Sequence, residues 1–566
     1  MKRALLLVAL LAACQTAPVP SPQADSARSG YSPEPAASRG GNLVLADWEA
    51  PDSLDPIHAT TANDLRVASL LFAPLWSLGP DLKARPDLLR EVPTVANGDV
   101  KAGSDRVSMA VDLKLKPGLQ WSDGTPITAD DLIFTVEAIC SGALPARDPG
   151  GFDHIASQER KSATEVVWHF GPRPRGSCGL AMDLTSGLYP ALEVLGPRAR
   201  LLPAHRLASI PAAAWPADPF FQHPDVVSGP FLFNDAVAGR LIDLAANPRY
   251  AAGRSHGAWL DGITYRFYNG KAALVAGLQA AEADVGFHLL PTDESELRGI
   301  ARSTTLVTSS LQGEFLSPNH GTDTATGRPP PWGGDPRILA ALAAVIDSRA
   351  LAGVAFAGAV TAGPGLFPPL LDPDSQPASA GLSLTEARSI LAASKPAFAL
   401  LTVCDSPPRQ VEQVELIRQW NAAGAMVSAA CAPRASFFAR DGPNATGAFD
   451  MSLYSNTWEP DPAAWAPFAV SSNAPNAANP GGLNWSRCQD PRLDQEFATG
   501  ASTLDAGKRR TAYLDAAAEW LRYGCTIPLY LLPSVVQRPS RLHNFLPNPT
   551  LAMDTWNAAD WWLSAP

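Results

Sequence analysis

Apolar and polar positions follow two different periods along this chain, and together they predict a mixture of strands and helices. Residues 41–48 alternate with a period of two, which is typical of a strand. Helical spacing appears in TTANDLRVASLLFAPLW, TADDLIFTVEAIC, KAALVAGLQAAEADV, DPRILAALAAVIDSRAL, SLTEARSILAAS and TLDAGKRRTAYLDAAAEWLR. Further strands are predicted in RVSMAVDLKLKPG, ITYRFYNG and TIPLYLL, with a hairpin over GPFLFNDAVAGRLIDLAANP. Because the two kinds of element mix throughout, we expect an α/β or α+β protein.

Several predicted helices also carry start signals. Thr60 and Thr61 are candidate N-caps of the first helix, and Thr128 precedes the helix that begins ADDLIF. Ser383 and Glu386 have the spacing of a capping box, in which each side chain satisfies a backbone N–H of the other residue. These signals indicate where the helices begin.

The amino-terminal residues have the pattern of an export signal. Met1-Lys2-Arg3 is positively charged, and an apolar run over residues 4–13 follows. That run is shorter than the ~20 residues that span a bilayer, but it suits a secretory signal peptide. It ends in Leu11-Ala12-Ala13-Cys14, which resembles a bacterial lipobox. We therefore expect residues 1–14 to be a lipoprotein signal peptide and Cys14 to be lipidated; the alternative is an ordinary signal peptide cut nearby.

Residues 15–41 are rich in proline, serine and alanine and nearly lack bulky apolar groups. Such a segment cannot bury enough surface to offset the entropy lost on ordering, so we expect a disordered tether. It suits a body held away from a membrane. The predicted location is exported, in the periplasm or at the cell surface, anchored by lipid.

Length, net charge and cysteine content limit the expected partners and the domain organisation of the protein. The chain has 566 residues, a net charge of -11 and no basic stripe, so nucleic acid is not an expected partner. The length suggests several domains. Among its 7 cysteines, Cys14 is assigned to lipidation, which leaves an even number for disulfides in an exported chain.

One disulfide can be argued from local structure. LTVC and VSAAC read as the ends of two strands flanking the helix VEQVELIRQW, and a β-α-β unit places such ends side by side. This predicts Cys404–Cys431. Sequence proximity suggests Cys140–Cys178 and Cys488–Cys525, and the alternative is six buried thiols. No cysteine spacing indicates a zinc site, and we expect no metal and no cofactor.

The order of several segments carries a resemblance. LQWSDGTPITADDLIFT over residues 119–135 resembles a segment of extracellular solute-binding proteins of the peptide/nickel family of ABC importers. SLDP at 53–56, SGPFLFNDAVAGRLIDLAANPRYAAG, DPRILAALAAVIDSRAL and the stretch 488–530 match other motifs of that family in the same order. Within the first segment, Asp123-Gly124 suits a tight turn, and we assign it a structural role.

The resemblance implies a fold and a function. The expected fold is the two-lobed α/β fold of periplasmic binding proteins, type II with an extra domain, with the ligand cleft between the lobes. The expected function is to capture peptides or peptide-like solutes and deliver them to a permease and its ATPases, as a monomer and not as an enzyme. The implied parts are lobe 1 (42–80, 225–305 and 537–566), its extra domain (81–224) and lobe 2 (306–536).

The resemblance also implies ligand-binding residues. Peptide binders of the family place an Asp three residues after a Trp to bind the α-ammonium, and Trp458 and Asp461 have this spacing. Thr60 and Tyr530 match positions that approach the ligand. The alternative is that Asp461 caps the following helix, Trp458 belongs to the core and Tyr530 is a packed strand residue. Arg409 and Arg434 are possible partners for a ligand carboxylate.

Other functions are weaker on the sequence. GRSHG at 253–257 fits a hydrolase pattern around Ser255, but that pattern needs a strand before it and a helix after it. Neither a metalloprotease motif nor a phosphate-binding loop is found in the sequence. A surface lipoprotein of the same fold that acts in sensing or adhesion stays open, as does import of a non-peptide solute such as a sugar or metal chelate.

Overall fold

Long helices and strands alternate over most of the chain. The computed structural model describes residues 31–59, 61–105, 108–141, 152, 155–171, 196, 199–356, 358, 360–362, 366, 371 and 381–565. Its described helices are α1 (Ala62–Leu71), α2 (Ala129–Cys140), α3 (Ala204–Leu207), α4 (Lys271–Gln279), α5 (Glu294–Leu297), α6 (Arg337–Ala344), α7 (Ser348–Phe356), α8 (Leu384–Ser394), α9 (Pro407–Ala422), α10 (Arg434–Phe437), α11 (Pro443–Thr446), α12 (Ala466–Ala469), α13 (Pro491–Ala501) and α14 (Ala506–Tyr523).

Strands form on the predicted segments and also on segments for which no strand was predicted. They are β1 (Asn42–Asp47), β2 (Trp76–Leu78), β3 (Ala84–Pro86), β4 (Val100–Ala102), β5 (Met109–Lys114), β6 (Ile155–Ser162), β7 (Glu165–Phe170), β8 (Phe231–Val237), β9 (Leu241–Ala246), β10 (Gly262–Phe267), β11 (Val285–Leu289), β12 (Ser303–Pro318), β13 (Thr361–Ala362), β14 (Ala397–Val403), β15 (Met426–Ala432), β16 (Met451–Thr457), β17 (Ile527–Pro539), β18 (Leu542–His543) and β19 (Trp562–Leu563).

One large mixed sheet runs through the molecule in the order β15-β14-β16-β12-β17-β11-β1-β10-β9-β8, with β13 paired to β17. The long strands β12 and β17 are antiparallel to each other and belong to both halves. Residues 303–309 of β12 pair with the half of β17 that borders β11, whereas residues 312–318 pair with β16. The register between β12 and β17 shifts between Ser309 and Gly313. Two lobes thus share two strands, as expected of a hinged α/β fold.

A separate antiparallel sheet, β4-β5-β7-β6, packs with α2. It lies within residues 81–224, the stretch predicted as the extra domain, although the predicted boundaries themselves stay predictions. Asp123 accepts a hydrogen bond from the N–H of Thr125 at 2.9 Å, and Gly124 has a φ of +94°. The WSDG segment therefore forms a tight turn.

The hydrophobic cores follow the two halves of the sheet. One cluster of buried residues joins β1, α1, the four-stranded sheet and the carboxyl-terminal segment around Trp561. Two further clusters lie on opposite faces of the β12–β16–β14 half, one around Trp420 and the other around Trp458 and Trp520. Each lobe thus has its own apolar interior, which leaves the joining strands as the place where they can move relative to each other.

The capping predictions can be checked individually. Thr128 and Asp131 form a capping box at α2, and Ser383 and Glu386 form one at α8, which confirms the α8 box predicted from spacing. Thr61 caps α1 and accepts a hydrogen bond from the N–H of Asp64 at 3.2 Å. Thr60 lies outside the described residues.

The prediction of one continuous helix over DPRILAALAAVIDSRAL is wrong. The chain forms α6 and α7, which are bent by 56° relative to each other. Asp347 causes the break: its carboxylate accepts from the N–H groups of Arg349 and Ala350, and its own N–H donates to Gln419 at 2.7 Å. Over the described residues no single helix has the length and apolarity of a membrane span, and this bent pair reaches them only when both helices are counted together.

Candidate functional site

The loops after two parallel strands, one from each lobe, meet across the cleft. β1 ends at Asp47 and β15 ends at Ala432. Just beyond these ends, Nη1 of Arg434, the first residue of α10, lies 3.0 Å from Oε1 of Glu49, although 385 residues separate the two. In open α/β sheets, ligands bind outside the carboxyl ends of the strands. This contact therefore marks the candidate site.

A buried carboxylate positions the lobe 1 wall of the cleft. Asp47 accepts hydrogen bonds from the N–H groups of Trp48 and Glu49 at 2.7 and 3.1 Å, and Nδ1 of His288 lies 2.9 Å from its other oxygen. Burial opposes ionisation of Asp47, but His288 and Arg66 hold the pKa of its carboxyl below the ordinary value. The ionised Asp47 thus fixes the turn that presents Trp48, which is 36% exposed, and Glu49 to the cleft.

Aromatic side chains form the lobe 2 wall. Phe438 follows α10 and is 41% exposed, and its ring centroid lies 6.3 Å from that of Tyr454 and 6.1 Å from that of Trp485. Behind this surface is a small pocket, lined by Phe315, Ser317, Tyr454, Asn456, Trp458, Phe468, Leu483, Trp485, Ser486, Trp520 and Thr526. Its volume is about 10 Å³, which holds no more than one water-sized particle, so the surface available to an apolar group of a ligand is the exposed ring of Phe438.

A disulfide holds the segment that carries Arg434. Cys404 and Cys431 end β14 and β15 side by side, and their Cα atoms are 5.1 Å apart. The bond therefore ties the chain just before α10 to the neighbouring strand, as the β-α-β argument predicted. Cys488 and Cys525 are also joined, whereas Cys178 lies outside the described residues and its pairing with Cys140 stays a prediction.

Comparison with known proteins identifies the family. Residues 108–477 match the family model "Bacterial extracellular solute-binding proteins, family 5 Middle", which covers well over half of the chain. The chain belongs to this family. It is a family of solute-binding proteins and not of enzymes, and its members act outside the cytoplasm.

The family 5 chain is similar to individual members with known names. It is 26% identical over 256 residues to the oligopeptide-binding protein AppA of Bacillus subtilis; the match covers 45% of the chain and only 42% of AppA. The structure of AppA in complex with a nonapeptide superposes with a TM-score of 0.73 at 19% identity, over 93% of this chain and 100% of that one. NikZ of Campylobacter jejuni in complex with Ni(L-His) gives 0.69 at 17% identity, over 92% and 99%. These likenesses show the type II binding-protein fold.

The structure gives Asp461 of this family 5 protein a set of internal partners. Its carboxylate caps the short 3₁₀ helix Pro462–Trp465 by accepting from the N–H of Ala463 at 2.9 Å, and Nη2 of Arg509 lies 2.6 Å away. Asp461 is only 2% exposed. These contacts are those of the capping alternative. An anchoring role toward a ligand ammonium stays a prediction, and the ammonium would have to displace Arg509.

The other predicted ligand residues differ in their access to the cleft. Trp458 is buried against Trp465, with ring centroids 4.3 Å apart, but it also lines the aromatic pocket. Tyr530 is fully buried and packs on Phe356, which fits the alternative of a packed strand residue. Their roles toward a ligand stay predictions, as does that of Thr60, which lies outside the described residues.

The two candidate arginines have different environments. Arg409 is buried, and its Nε donates to Oε1 of Glu314 at 2.9 Å. Arg434 is exposed in the cleft and bound to Glu49. Of the two, only Arg434 is accessible to a ligand carboxylate.

Sequence reasoning missed Glu49, Trp48 and Phe438. Two of them directly follow β1, so the rule that ligands bind at the carboxyl ends of strands was the available signal. No local pattern shows that the loop after β1 meets the loop after β15, because that contact depends on how the lobes close.

The weaker motifs gain nothing from the structure. GRSHG lies in turns and bends between β9 and β10, without the strand and helix that a hydrolase elbow needs. Across the described parts of the chain, no group of three His, Cys, Asp or Glu side chains is arranged to hold a metal ion.

Proposed function

We propose that this family 5 protein captures peptides in the interlobe cleft and delivers them to the permease of an ABC importer driven by ATPase subunits. The observation that carries the proposal is the convergence of Glu49 and Arg434 beside Trp48 and Phe438. A peptide offers an ammonium, a carboxylate and side chains, and the cleft offers one carboxylate, one guanidinium and exposed aromatic surface. Membership of the family and the nonapeptide bound to AppA support this assignment.

Ligand binding would then exchange partners within the cleft. Glu49 accepts from the ligand ammonium, Arg434 donates to a carboxylate or main-chain carbonyl, and the exposed ring of Phe438 packs against a side chain. Arg–carboxylate hydrogen bonds are strong because both partners are charged. Closure of the lobes on the hinge strands β12 and β17 then buries the peptide, and the closed form docks on the permease as a monomer.

Mass spectrometry and thermal shift together test the solute class. The soluble body, expressed without residues 1–30, is examined by native mass spectrometry for a co-purifying ligand. Its thermal unfolding is then followed with di-, tri- and oligopeptides, sugars and nickel–histidine. We expect peptides to raise the Tm. A Tm raised only by a sugar or by nickel–histidine would replace the peptide by that solute, and no response to any of them would favour a sensing or adhesion role.

Two cleft variants test the site itself. Glu49→Gln and Arg434→Gln should each raise the peptide Kd at least about tenfold, the loss expected when one charged hydrogen bond worth about 1.5 kcal/mol is removed. Arg418→Gln is a matched control, because Arg418 is also exposed on lobe 2 but pairs with Glu415 on α9. Equal affinities in all three variants would place the ligand elsewhere.

We propose further that the protein is a lipoprotein, anchored through Cys14 to a membrane in the periplasm or at the cell surface. The apolar run before Cys14 and the proline-rich tether after it support this assignment. Fractionation of cells expressing wild type and Cys14→Ala tests it. The wild-type protein should partition with membranes and the variant should be released; retention of the variant would exclude the lipid anchor.

A further inference from the structure

A small internal cavity in lobe 1 contains a buried arginine with an incomplete set of partners. The cavity has a volume of about 20 Å³ and lies between α1, β2 and the carboxyl-terminal residues 552–559. Arg200, which is 3% exposed, lines it together with Ser77, Asp87 and Tyr250. It lies apart from the interlobe cleft and from Glu49 and Arg434.

The contacts of Arg200 satisfy only part of its guanidinium. Nη1 donates to the carbonyls of Ala68 and Phe72, at the carboxyl end of α1, where a cation is favoured by the helix dipole. Nε is buried and has no hydrogen-bond acceptor within the described chain. No carboxylate of the described residues forms an ion pair with Arg200. A buried cationic group without such a partner is costly, and burial lowers the pKa of Arg200 to about 10.

Asp87, the carboxylate that lines the cavity, already forms an ion pair with Arg254. Nε of Arg254 donates to Oδ1 of Asp87 at 3.1 Å. Burial lowers the pKa of Lys116, which also lies within the electrostatic reach of Asp87 and Arg254. Arg200 and Asp87 are the charged residues of the lining, and Arg254, which is not part of the lining, pairs with Asp87. Arg200 is therefore the one charged group of the lining without an ion-pair partner among the described residues.

We infer that this cavity binds one small monatomic anion of the chloride class on Arg200. The volume selects the size of the ligand, because about 10–15 Å³ of such space holds one water-sized particle. Sulfate, phosphate and the carboxylate of a peptide are too large for it. Nε of Arg200 would donate to the anion as the charged group. The hydroxyl of Ser77, on strand β2, would donate to it as a neutral group.

The expected effect is on the stability of lobe 1. An anion at Arg200 would join α1, β2 and the carboxyl-terminal segment, all of which border the cavity. Anything that binds the folded state alone raises its stability with ligand concentration. The site therefore predicts stabilisation by chloride that is saturable and independent of peptide binding.

The test uses the full soluble body in mixtures of sodium chloride and sodium gluconate at constant ionic strength, since gluconate is too large to enter. Tm should rise with chloride and saturate in the wild type. Arg200→Met should abolish the response, and Ser77→Ala should raise the chloride concentration at half effect severalfold. Arg337→Met, which changes an exposed arginine on α6, is the control and should respond as the wild type does.

Crystals grown in sodium bromide provide a readout that does not depend on whether Arg200→Met folds. A bromide anomalous peak within hydrogen-bond distance of Arg200 in the wild-type protein would establish the site. A water molecule at this position, or a chloride response that is the same in wild type and Arg200→Met, would overturn the inference.

Discussion

Two buried arginines, one in each lobe, differ in how their charges are matched. Arg66 on α1 lies between two carboxylates, 3.4 Å from Asp47 and 3.1 Å from Asp554. Arg409 on α9 pairs with Glu314 at 2.9 Å, and Glu412, less than one turn along the same helix, is also fully buried. Neither oxygen of Glu412 has a hydrogen-bond partner in the described part of the chain.

The same residue types, arginine and acidic residues, form a complete ion-pair network in lobe 1 but leave one buried carboxyl without a partner in lobe 2. Around Arg66, Asn63 and Tyr265 complete the hydrogen bonds, so each member depends on the others. In lobe 2, burial and the nearby Glu314 raise the pKa of Glu412 well above its ordinary value, although Arg409 opposes this. Burial therefore favours the neutral form of the Glu412 carboxyl, which has no hydrogen-bond partner among the described residues. The ionic network of lobe 1 therefore stabilises the wall of the cleft, whereas the buried carboxyl of Glu412 adds no stabilising ion pair to lobe 2.

The largest effect is expected from breaking the complete network. Arg66→Met leaves Asp554 buried without its cation and Asp47 with His288 as its basic partner, and removing one partner of a buried ion pair costs about 3–5 kcal/mol. Urea unfolding followed by tryptophan fluorescence should show this loss. Arg418→Met, at an exposed arginine, is the control and should change little. A loss below about 1 kcal/mol for Arg66→Met would mean that the network is not a structural unit.

The next effect concerns Asp461, whose partners resemble those of the lobe 1 network although it lies in lobe 2. Asp461→Asn removes the charge that Arg509 faces and should destabilise the protein by about 1.5–3 kcal/mol without any ligand. In a double-mutant cycle with Arg509→Met, the double variant should lose less than the sum of the single losses. Unchanged stability together with a weakened peptide affinity would instead establish Asp461 as the ligand anchor that the Trp-x-x-Asp spacing suggested.

Features that depend on residues close together in the chain could be predicted from the sequence. The periodicity predicted strands such as β1 and β10 and helices such as α1 and α14, and the β-α-β argument placed Cys404 beside Cys431, because these features depend on neighbours in the chain. The strands β12 and β16 were not predicted. The break at Asp347 was missed because an apolar helical period continues through it, and only the cap that Asp347 provides separates α6 from α7.

The candidate site was harder to predict for a physical reason. Spacing selected Asp461, but whether a carboxylate faces a ligand or an internal arginine depends on tertiary contacts such as that with Arg509. The contact between Glu49 and Arg434 joins residues that are remote in sequence, and it forms only when two strand ends from different lobes meet.

Glu412 offers a smaller effect with a definite pH dependence. Its folded-state pKa lies above its unfolded value of about 4.3, so between these two pKa values the folded state binds more protons than the unfolded state. Wild-type stability attributable to Glu412 therefore falls as pH rises above about 4.3. Glu412→Met removes a polar group that lacks partners and should stabilise the protein by about 1 kcal/mol near neutral pH.

The pH series needs a control on the same helix. Glu415 pairs with Arg418 and Gln419, and these hydrogen bonds lower its pKa. Its contribution to stability is therefore present above its unfolded pKa and is lost as pH falls. The Tm of Glu412→Met relative to wild type should increase from pH 4 to pH 8, and that of Glu415→Met should decrease. Parallel trends for the two variants would contradict the raised pKa of Glu412.

The smallest effect on stability is expected at the pair that bridges the lobes. Glu49 and Arg434 are both substantially exposed, and such surface pairs contribute about 0–1 kcal/mol, which salt screens further. Glu49→Gln should therefore leave the Tm of the ligand-free protein nearly unchanged, in contrast to Arg66→Met. Its effect should appear in the equilibrium between open and closed forms, since the pair exists only when the lobes are close.

Small-angle scattering of the ligand-free protein at low salt should give a larger radius of gyration for Glu49→Gln than for wild type, and the difference should vanish at high salt. A large drop in Tm with no change in the radius of gyration would place Glu49 among the residues that stabilise lobe 1. The buried network around Arg66 and the exposed pair between the lobes would then not differ in function.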